Sequence, residues 1–129
     1  MRIAVALARN TDGQVLLVRK RGTMAFMQPG GKIESGEDAR MALSRELAEE
    51  LALTVPAEQF HYLGSASAPA ANEPGVTVEA EIYSLTLDRD VFVQAEIEEM
   101  AWVDPANPLA MPLAPLTRDH VLPMAVASL

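Results

Sequence analysis

The segment Ala39 to Leu51 constrains the fold most, because its composition favours only one kind of regular structure. It contains no glycine, proline or β-branched residue. Glu37 and Asp38 come just before it, where the helix dipole favours acidic side chains, and Ser35 is the expected N-cap. The segment therefore predicts an α-helix.

Three glutamates share a face of this helix that is apolar one turn earlier. At 3.6 residues per turn, the apolar seam continues into Glu46 and Glu50, and Glu49 lies beside it. The usual alternative is a solvated face with i,i+4 ion pairs, but no lysine or arginine follows Glu46 or Glu50 at that spacing. Carboxylates that converge at the edge of a packing seam repel and lose solvation, so we expect a cation there.

A hard divalent cation is the simplest candidate for that charge. The chain has no cysteine and only two histidines, so carboxylate oxygens, which Mg²⁺ and Mn²⁺ prefer, would be the ligands. The net charge of -8 argues against polymeric nucleic acid and anionic membranes as partners. A bound metal would reverse the sign of the site locally, so a small phosphate-bearing ligand becomes the expected partner.

Two glycines and a lysine lie just upstream of the helix. We expect Gly30 and Gly31 to interrupt regular structure and to offer backbone groups to a ligand, with Lys32 adding one positive charge. The stretch is not a Walker A loop, because Phe26 stands where the first glycine should be and Ile33 follows Lys32.

The glycines and glutamates together resemble the Nudix box, G-x5-E-x7-R-E-U-x-E-E-x-G-U, in which U is a bulky aliphatic residue. The positions that match this pattern are Gly31, Glu37, Arg45, Glu46, Leu47, Glu49, Glu50 and Leu53. The last glycine of the box is Ala52 here. Alanine suits a left-handed helix end less well than glycine does, so we expect the helix to continue or to end differently.

The resemblance implies the Nudix fold, an α/β/α sandwich of the α+β class with a mixed β-sheet between helices, as one domain over residues 1–129. Hydrophobic patterning predicts strands over residues 3–8, 15–18, 60–67 and 76–87, and shorter strands over 91–93 and 101–103. The apolar phase changes within 76–87, which predicts a bulge near Ser84. A last helix is expected to begin near Thr117, and Pro123 should kink or end it.

The resemblance also implies roles for the charged residues of the box. Glu49 and Glu50 would ligate the divalent metal, and Glu46 would be a further ligand or the base that activates water. Glu37 and Arg45 would hold the loop and helix together and orient the glutamates, since a guanidinium can brace a carboxylate with two hydrogen bonds.

Residues outside the helix complete the expected site. By resemblance, the Gly30 carbonyl would face the metal, while Gly31 and Lys32 would contact the substrate. Some relatives add a glutamate from a late loop, for which Glu96 and Glu98 are the candidates here, with simple solvation as the equal alternative.

Two aromatic residues near the box are candidates for stacking on a nucleobase. They are Phe26 and Trp102, although large aromatic side chains more often belong to the core. Pro69 lies 16 residues after Leu53, a spacing that resembles family members that hydrolyse ADP-ribose.

The activity implied by the resemblance is hydrolysis of a nucleoside diphosphate linked to another group, with water attacking phosphorus. The short chain favours a MutT-like enzyme acting on nucleoside triphosphates. The alternatives are an ADP-ribose or nucleotide-sugar pyrophosphatase and a non-catalytic module that binds a nucleotide. We expect a monomer or homodimer in the cytoplasm, because the first apolar stretch is too short for a signal peptide or a membrane span.

Overall fold

A mixed β-sheet forms the centre of the computed structural model, which describes residues 1–108 and 110–128. Its strands are β1 (Arg2–Arg9), β2 (Val15–Lys20), β3 (Phe26–Met27), β4 (Gly30–Lys32), β5 (His61–Pro69), β6 (Thr77–Thr86) and β7 (Ile97–Val103). The helices are α1 (Ala39–Leu51) and α2 (Leu122–Ala127), with a 3₁₀ turn at Ala57–Gln59 and a π-helical turn at Thr117–Val121.

Strand β1 lies in the middle of the sheet and has three partners. It pairs with β6 in parallel along its whole length, and β5 continues the sheet as the antiparallel neighbour of β6. On the other side, β4 pairs with the first half of β1, and β2 pairs with its last residue. Strand β2 in turn pairs with β3 and β7. This arrangement places the Gly30-Gly31 pair beside the start of β1.

Helices cover both faces of the sheet. Along β1 the side chains alternate, so that three alanines face α1 while Val5 and Leu7 face the C-terminal helix. The buried residues on the α1 side include Ala4, Ala6, Ala8, Leu43, Leu47 and Leu51. Those on the other side include Ile82, Val121, Leu122 and Ala125. The predicted α+β class, with a mixed sheet between helices, is confirmed.

The change of phase in β6 has a different cause from the one expected. Ile82 and Tyr83 are both buried, because one lies under each helical layer. The irregular register falls in the neighbouring strand β5, between Tyr62 and Gly64. The prediction of a bulge near Ser84 was therefore wrong.

Two other local expectations also fail. The segment at Gly30 does not interrupt regular structure but forms β4, since Gly30 has a φ of 139° and its missing side chain avoids an overlap with the Ala4 carbonyl. Residues 91–93 form no strand, and the strand expected at 101–103 begins earlier, at Ile97. The loop before Ile97 instead packs against the end of α1, where the Gln94 N–H donates to the Glu50 carbonyl over 3.0 Å.

Both ends of helix α1 differ in detail from the prediction. The N-cap is Asp38 rather than Ser35, and its side chain accepts a hydrogen bond from the Met41 N–H over 2.8 Å. At the other end Ala52 adopts the left-handed conformation, with φ of 56° and ψ of 31°. The helix thus ends at Leu51 in the manner that a glycine would allow, despite the alanine.

The C-terminal helical region begins at Pro115, close to the start predicted near Thr117. Pro123 does not end it, because this residue lies in the first turn of α2, where a missing N–H is tolerated. Within residues 1–108 and 110–128, no helix combines the length and apolar character needed to cross a membrane.

Candidate functional site

The side chain of Arg45 organises the charged face of α1. Its Nε and Nη2 atoms donate to the two carboxylate oxygens of Glu37 over 2.7 and 2.9 Å. The Glu34 N–H donates to the same carboxylate over 3.0 Å. These hydrogen bonds, that of Arg45 foremost, lower the pKa of Glu37 to about 2. Glu37 is thus a permanently charged anchor for the guanidinium.

The other donors of Arg45 connect the helix to β4. Nη1 donates to Glu46 over 3.0 Å, and Nη2 donates to the backbone carbonyl of Lys32 over 3.0 Å. Glu49 lies 3.5 Å from Nη1 and is largely exposed. One guanidinium therefore sets the position of Glu46 relative to the strand that carries the two glycines.

Gly31 leaves the space that the Glu46 carboxylate occupies. A Cβ atom on Gly31 would stand 2.6 Å from Glu46 Cδ, closer than such atoms approach in proteins. Gly31 has no positive φ, so its backbone conformation does not require a glycine. A glycine is needed here because a side chain would collide with the Glu46 carboxylate.

Glu50 is a buried carboxylate, and few neighbouring groups offset the cost of burying its charge. It is 3% exposed, and its Oε1 accepts a hydrogen bond from the Gly30 N–H over 3.1 Å. Burial raises the pKa of Glu50 to about 7, and burial also raises the pKa of Glu46. Both carboxylates would be stabilised in their charged form by an added cation.

The donor set fits a hard divalent cation, although the carboxylates do not already form a cage. Among the described residues, no three acidic, cysteine or histidine side chains converge as a ready-made metal site. Arg45 holds Glu46, and the Gly30 N–H, rather than its carbonyl, is turned to Glu50. Carboxylate oxygens on one helix face are nevertheless the ligands that Mg²⁺ and Mn²⁺ take. The buried charge among them also needs a counter-ion.

The two glutamates expected on a late loop lie in different surroundings, since Glu96 precedes β7 and Glu98 is part of that strand. Glu96 is close enough to raise the pKa of Glu50 further, and its carboxylate lies 3.6 Å from Lys20 Nζ. Glu98 instead forms an exposed ion pair with Arg21 at 3.0 Å. The structure brings Glu96 towards the helix glutamates and leaves Glu98 outside.

A cleft of about 140 Å³ opens beside β4. Gly30, Gly31 and Lys32 form one side of it, together with Lys20. Its other lining is mainly apolar and comes from β1, β6 and the segments after β5 and before Thr117; it includes Ile3, Val5, Pro69, Val78, Ala114 and Leu116. The cleft thus has two lysines at the end where Gly30 and Gly31 contact Glu50 and Glu46, which we call its glutamate end, and an apolar interior.

The aromatic candidates lie outside the lining of this cleft. Phe26 packs in the core layer facing α2, and Trp102 packs against the layer under α1. Both residues therefore pack with the core, which was the alternative to stacking on a nucleobase.

Two cleft residues escaped sequence reasoning. Lys20 follows directly on the buried run of β2, and it favours the charged forms of both Glu46 and Glu50. Gln28, a buried polar residue next to Met27, lines the cleft. Lys20 stands between Arg19 and Arg21 in a short basic run, and Gln28 is a single polar residue between Met27 and Pro29, so neither position stood out.

Two curated proteins resemble parts of this chain in sequence. An octanoyltransferase of Myxococcus xanthus is 37% identical over 110 residues, which are 79% of this chain and 29% of that protein. An 8-oxo-dGTP diphosphatase of Haemophilus influenzae is 37% identical over 57 residues, 41% of this chain and 42% of that protein. The chain therefore spans well under two thirds of the length of these relatives.

A solved structure and a family model extend the likeness to nearly the whole chain. The MutT protein of Methanosarcina mazei Go1 has a TM-score of 0.80 at 22% identity, over 99% of this chain and 94% of the other, which shows a shared fold. The family model described as NUDIX domain matches residues 1–123. The chain belongs to the Nudix family.

Proposed function

We propose that this protein is a divalent-metal-dependent hydrolase of nucleoside diphosphate–X compounds, with nucleoside triphosphates as the leading substrate class. The observation that carries the proposal is the contact of the Glu46 carboxylate with Gly31, a residue that lines the cleft, together with the burial of Glu50. A non-catalytic binding module would have no use for several oriented, partly desolvated carboxylates.

Glu49 and Glu50 are the proposed metal ligands, and Glu96, which acts electrostatically on Glu50, is a candidate for an additional carboxylate. When bound, the divalent cation supplies positive charge that neutralises the phosphates and acidifies the attacking water. Mg²⁺ and Mn²⁺ both suit an all-oxygen donor set.

Side chains of the protein then position the substrate and accept a proton from the attacking water. Lys20 and Lys32 line the cleft at its glutamate end and would neutralise phosphate oxygens. Glu46 is the proposed base, because burial raises its pKa and so strengthens it as a proton acceptor, and the hydrogen bond from Arg45 holds it in place. Arg45 itself acts as a positioning residue, fixed by Glu37.

The apolar interior of the cleft would take the nucleoside end of the substrate. Its volume of about 140 Å³ lies below the ~300 Å³ at which pockets begin to enclose whole drug-sized ligands. It therefore accepts one ring system while the phosphates remain at the open, lysine-lined end.

One observation favours ADP-ribose as a second candidate substrate. Pro69, whose spacing from the box resembles ADP-ribose-hydrolysing relatives, lies in the wall of the cleft. A proline there would contact the ligand directly, so ADP-ribose belongs among the compounds tested.

The test is a hydrolysis panel with Mg²⁺ or Mn²⁺, covering nucleoside triphosphates, ADP-ribose, nucleotide sugars and dinucleoside polyphosphates. We expect turnover of nucleoside triphosphates to monophosphate and pyrophosphate, identified by phosphorus NMR. Glu50→Gln should lower kcat/KM by at least ~100-fold, since it removes a charge at the reacting centre.

Glu58→Gln is the matched control, because Glu58 is exposed on the 3₁₀ turn Ala57–Gln59 and should be without effect. No turnover of any compound, or turnover that survives Glu50→Gln, would overturn the proposed function.

A further inference from the structure

Gln28 is a buried polar side chain with one end fixed. It is 5% exposed, and its Oε1 accepts a hydrogen bond from Thr117 Oγ1 over 2.6 Å. Thr117 is fully buried at the start of the π-helical turn before α2. The bond joins two segments 89 residues apart, so the orientation of the carboxamide is set by the tertiary structure.

The other end of the carboxamide has no hydrogen-bond partner among the described residues. Within the described part of the chain, Gln28 Nε2 makes no hydrogen bond to protein, yet no fully buried side-chain nitrogen or oxygen atom lacks a partner. Nε2 must therefore retain access to solvent, and the space that Gln28 lines is the cleft. Since an NH₂ group only donates, the cleft presents an oriented hydrogen-bond donor.

The surroundings of this donor are apolar. Val5, Ala114 and Leu116 line the same cleft, which suits the flat, apolar faces of a ring. A ring held in this way would place its edge against Gln28.

We propose that Gln28 is a specificity-determining residue that donates from Nε2 to a carbonyl on the edge of the nucleobase. The cleft then favours keto bases such as guanine, hypoxanthine and uracil over amino bases such as adenine and cytosine. Thr117 is the positioning residue that keeps the donor turned to the base. The inference rests on the proposed function, because it assigns the cleft to a nucleotide.

The discrimination follows from hydrogen-bond complementarity. A base amino group would direct its own hydrogens at those of Nε2, leaving two donors unpaired and desolvated. A site built around one such bond discriminates by about 10- to 100-fold.

The experiment compares pairs of nucleotides that differ only by a carbonyl or an amino group, namely ITP with ATP and UTP with CTP. We expect wild-type protein to prefer ITP and UTP by about 10- to 100-fold in kcat/KM, mostly through KM. Gln28→Met should bring both ratios close to one. Gln28→Glu keeps the acceptor for Thr117 but replaces the donor, so it should turn the preference towards ATP and CTP.

Two further variants separate base recognition from folding. Thr117→Val keeps the shape of the side chain but frees the carboxamide, so it should weaken the ITP preference with little change in kcat. Gln59→Met changes an exposed glutamine and should leave the ratios as in wild type. A purely structural role for Gln28 would lower activity on all four nucleotides equally, which would overturn the inference.

Calorimetric titration with IMP and AMP gives a readout without hydrolysis. Tighter binding of IMP that disappears in Gln28→Met supports the inference, even if no triphosphate is hydrolysed and the proposed function falls. Equal binding of IMP and AMP, or tighter binding of AMP, overturns the inference even if hydrolysis is observed.

Discussion

The carboxylate of Glu46 rests against Gly31 so closely that a Cβ atom on that glycine would stand 2.7 Å from Glu46 Oε1. Strand β4 and helix α1 meet at this contact, and any side chain at position 31 must displace the carboxylate. The contact explains why a glycine and a glutamate fifteen residues later belong to one site.

Gly31→Ala should therefore damage activity more than stability. The added methyl group pushes aside the end of a flexible side chain, so the fold survives, but a displacement of about 1 Å at a reacting group can cost 100-fold in rate. The measurements are kcat/KM with Mg²⁺ and the thermal midpoint of unfolding.

Gly13→Ala is the contrasting variant, because Gly13 has a φ of 77° and no atom near its missing Cβ. It should lower stability by about 1 kcal/mol and leave kcat/KM unchanged. A fully active Gly31→Ala would show that the position of Glu46 does not matter for the reaction.

Arg45→Lys tests whether the guanidinium does more than balance charge. Lysine keeps the positive charge but cannot bind both oxygens of Glu37 while holding Glu46 and the Lys32 carbonyl. We expect a loss of about 1–3 kcal/mol in the free energy of unfolding and at least ~10-fold in kcat/KM. Denaturant titration and steady-state kinetics measure the two effects.

Arg118→Lys provides a matched comparison for that variant. Arg118 also binds a carboxylate with two hydrogen bonds, to Asp119 over 2.8 and 2.9 Å, but both side chains are exposed. Its replacement should leave the free energy of unfolding almost unchanged, because an exposed ion pair contributes little to stability. Equal effects at both positions would contradict a special role for Arg45.

Helix α1 and its carboxylates were predictable from the sequence because the information is local. The absence of helix-breaking residues over 39–51 and the spacing of Glu46, Glu49 and Glu50 depend only on residues in that helix. The cap was misplaced by three residues, since Ser35 and Asp38 are both suitable acceptors and only the turn geometry selects Asp38.

Features that depend on distant packing were not predictable in this way. The bond between Gln28 and Thr117 joins segments 89 residues apart, and Lys20 reaches the glutamates only because β2 lies in the same sheet as β4's partner strand β1. Ile82 and Tyr83 are similarly both buried only because a helical layer covers each face of the sheet.

The stability of the metal-free protein should fall as pH rises from about 4.5 to about 7. The folded state raises the pKa of Glu50 from 4.5 to about 7, so it holds a proton that the unfolded chain releases. The stabilisation is complete below 4.5 and is lost as pH passes 7, a change of about 3 kcal/mol. Thermal unfolding in EDTA across this range measures it.

Glu50→Gln should remove most of that pH dependence and leave the part that the raised pKa of Glu46 contributes, while Glu49→Gln, at an exposed position, should retain it. Adding Mg²⁺ or Mn²⁺ at pH 8 should raise the thermal midpoint of wild-type protein, because the cation binds the charged, folded form. A midpoint in EDTA that is the same at pH 5 and pH 8 would contradict the assignment of Glu50 as an uncompensated buried carboxylate.

Ala52→Gly should stabilise the protein without changing its activity. Ala52 is held in the left-handed conformation at the end of α1, where its N–H donates to the Leu47 carbonyl. Alanine is strained there and glycine is not, so we expect a gain of about 0.5–1 kcal/mol in the free energy of unfolding. Ala48→Gly places the same substitution at an exposed position inside the helix, where it should cost about 1 kcal/mol. Opposite signs for the two variants in urea unfolding would establish that the helix ends at Leu51, whereas destabilisation by both would mean that α1 continues through position 52.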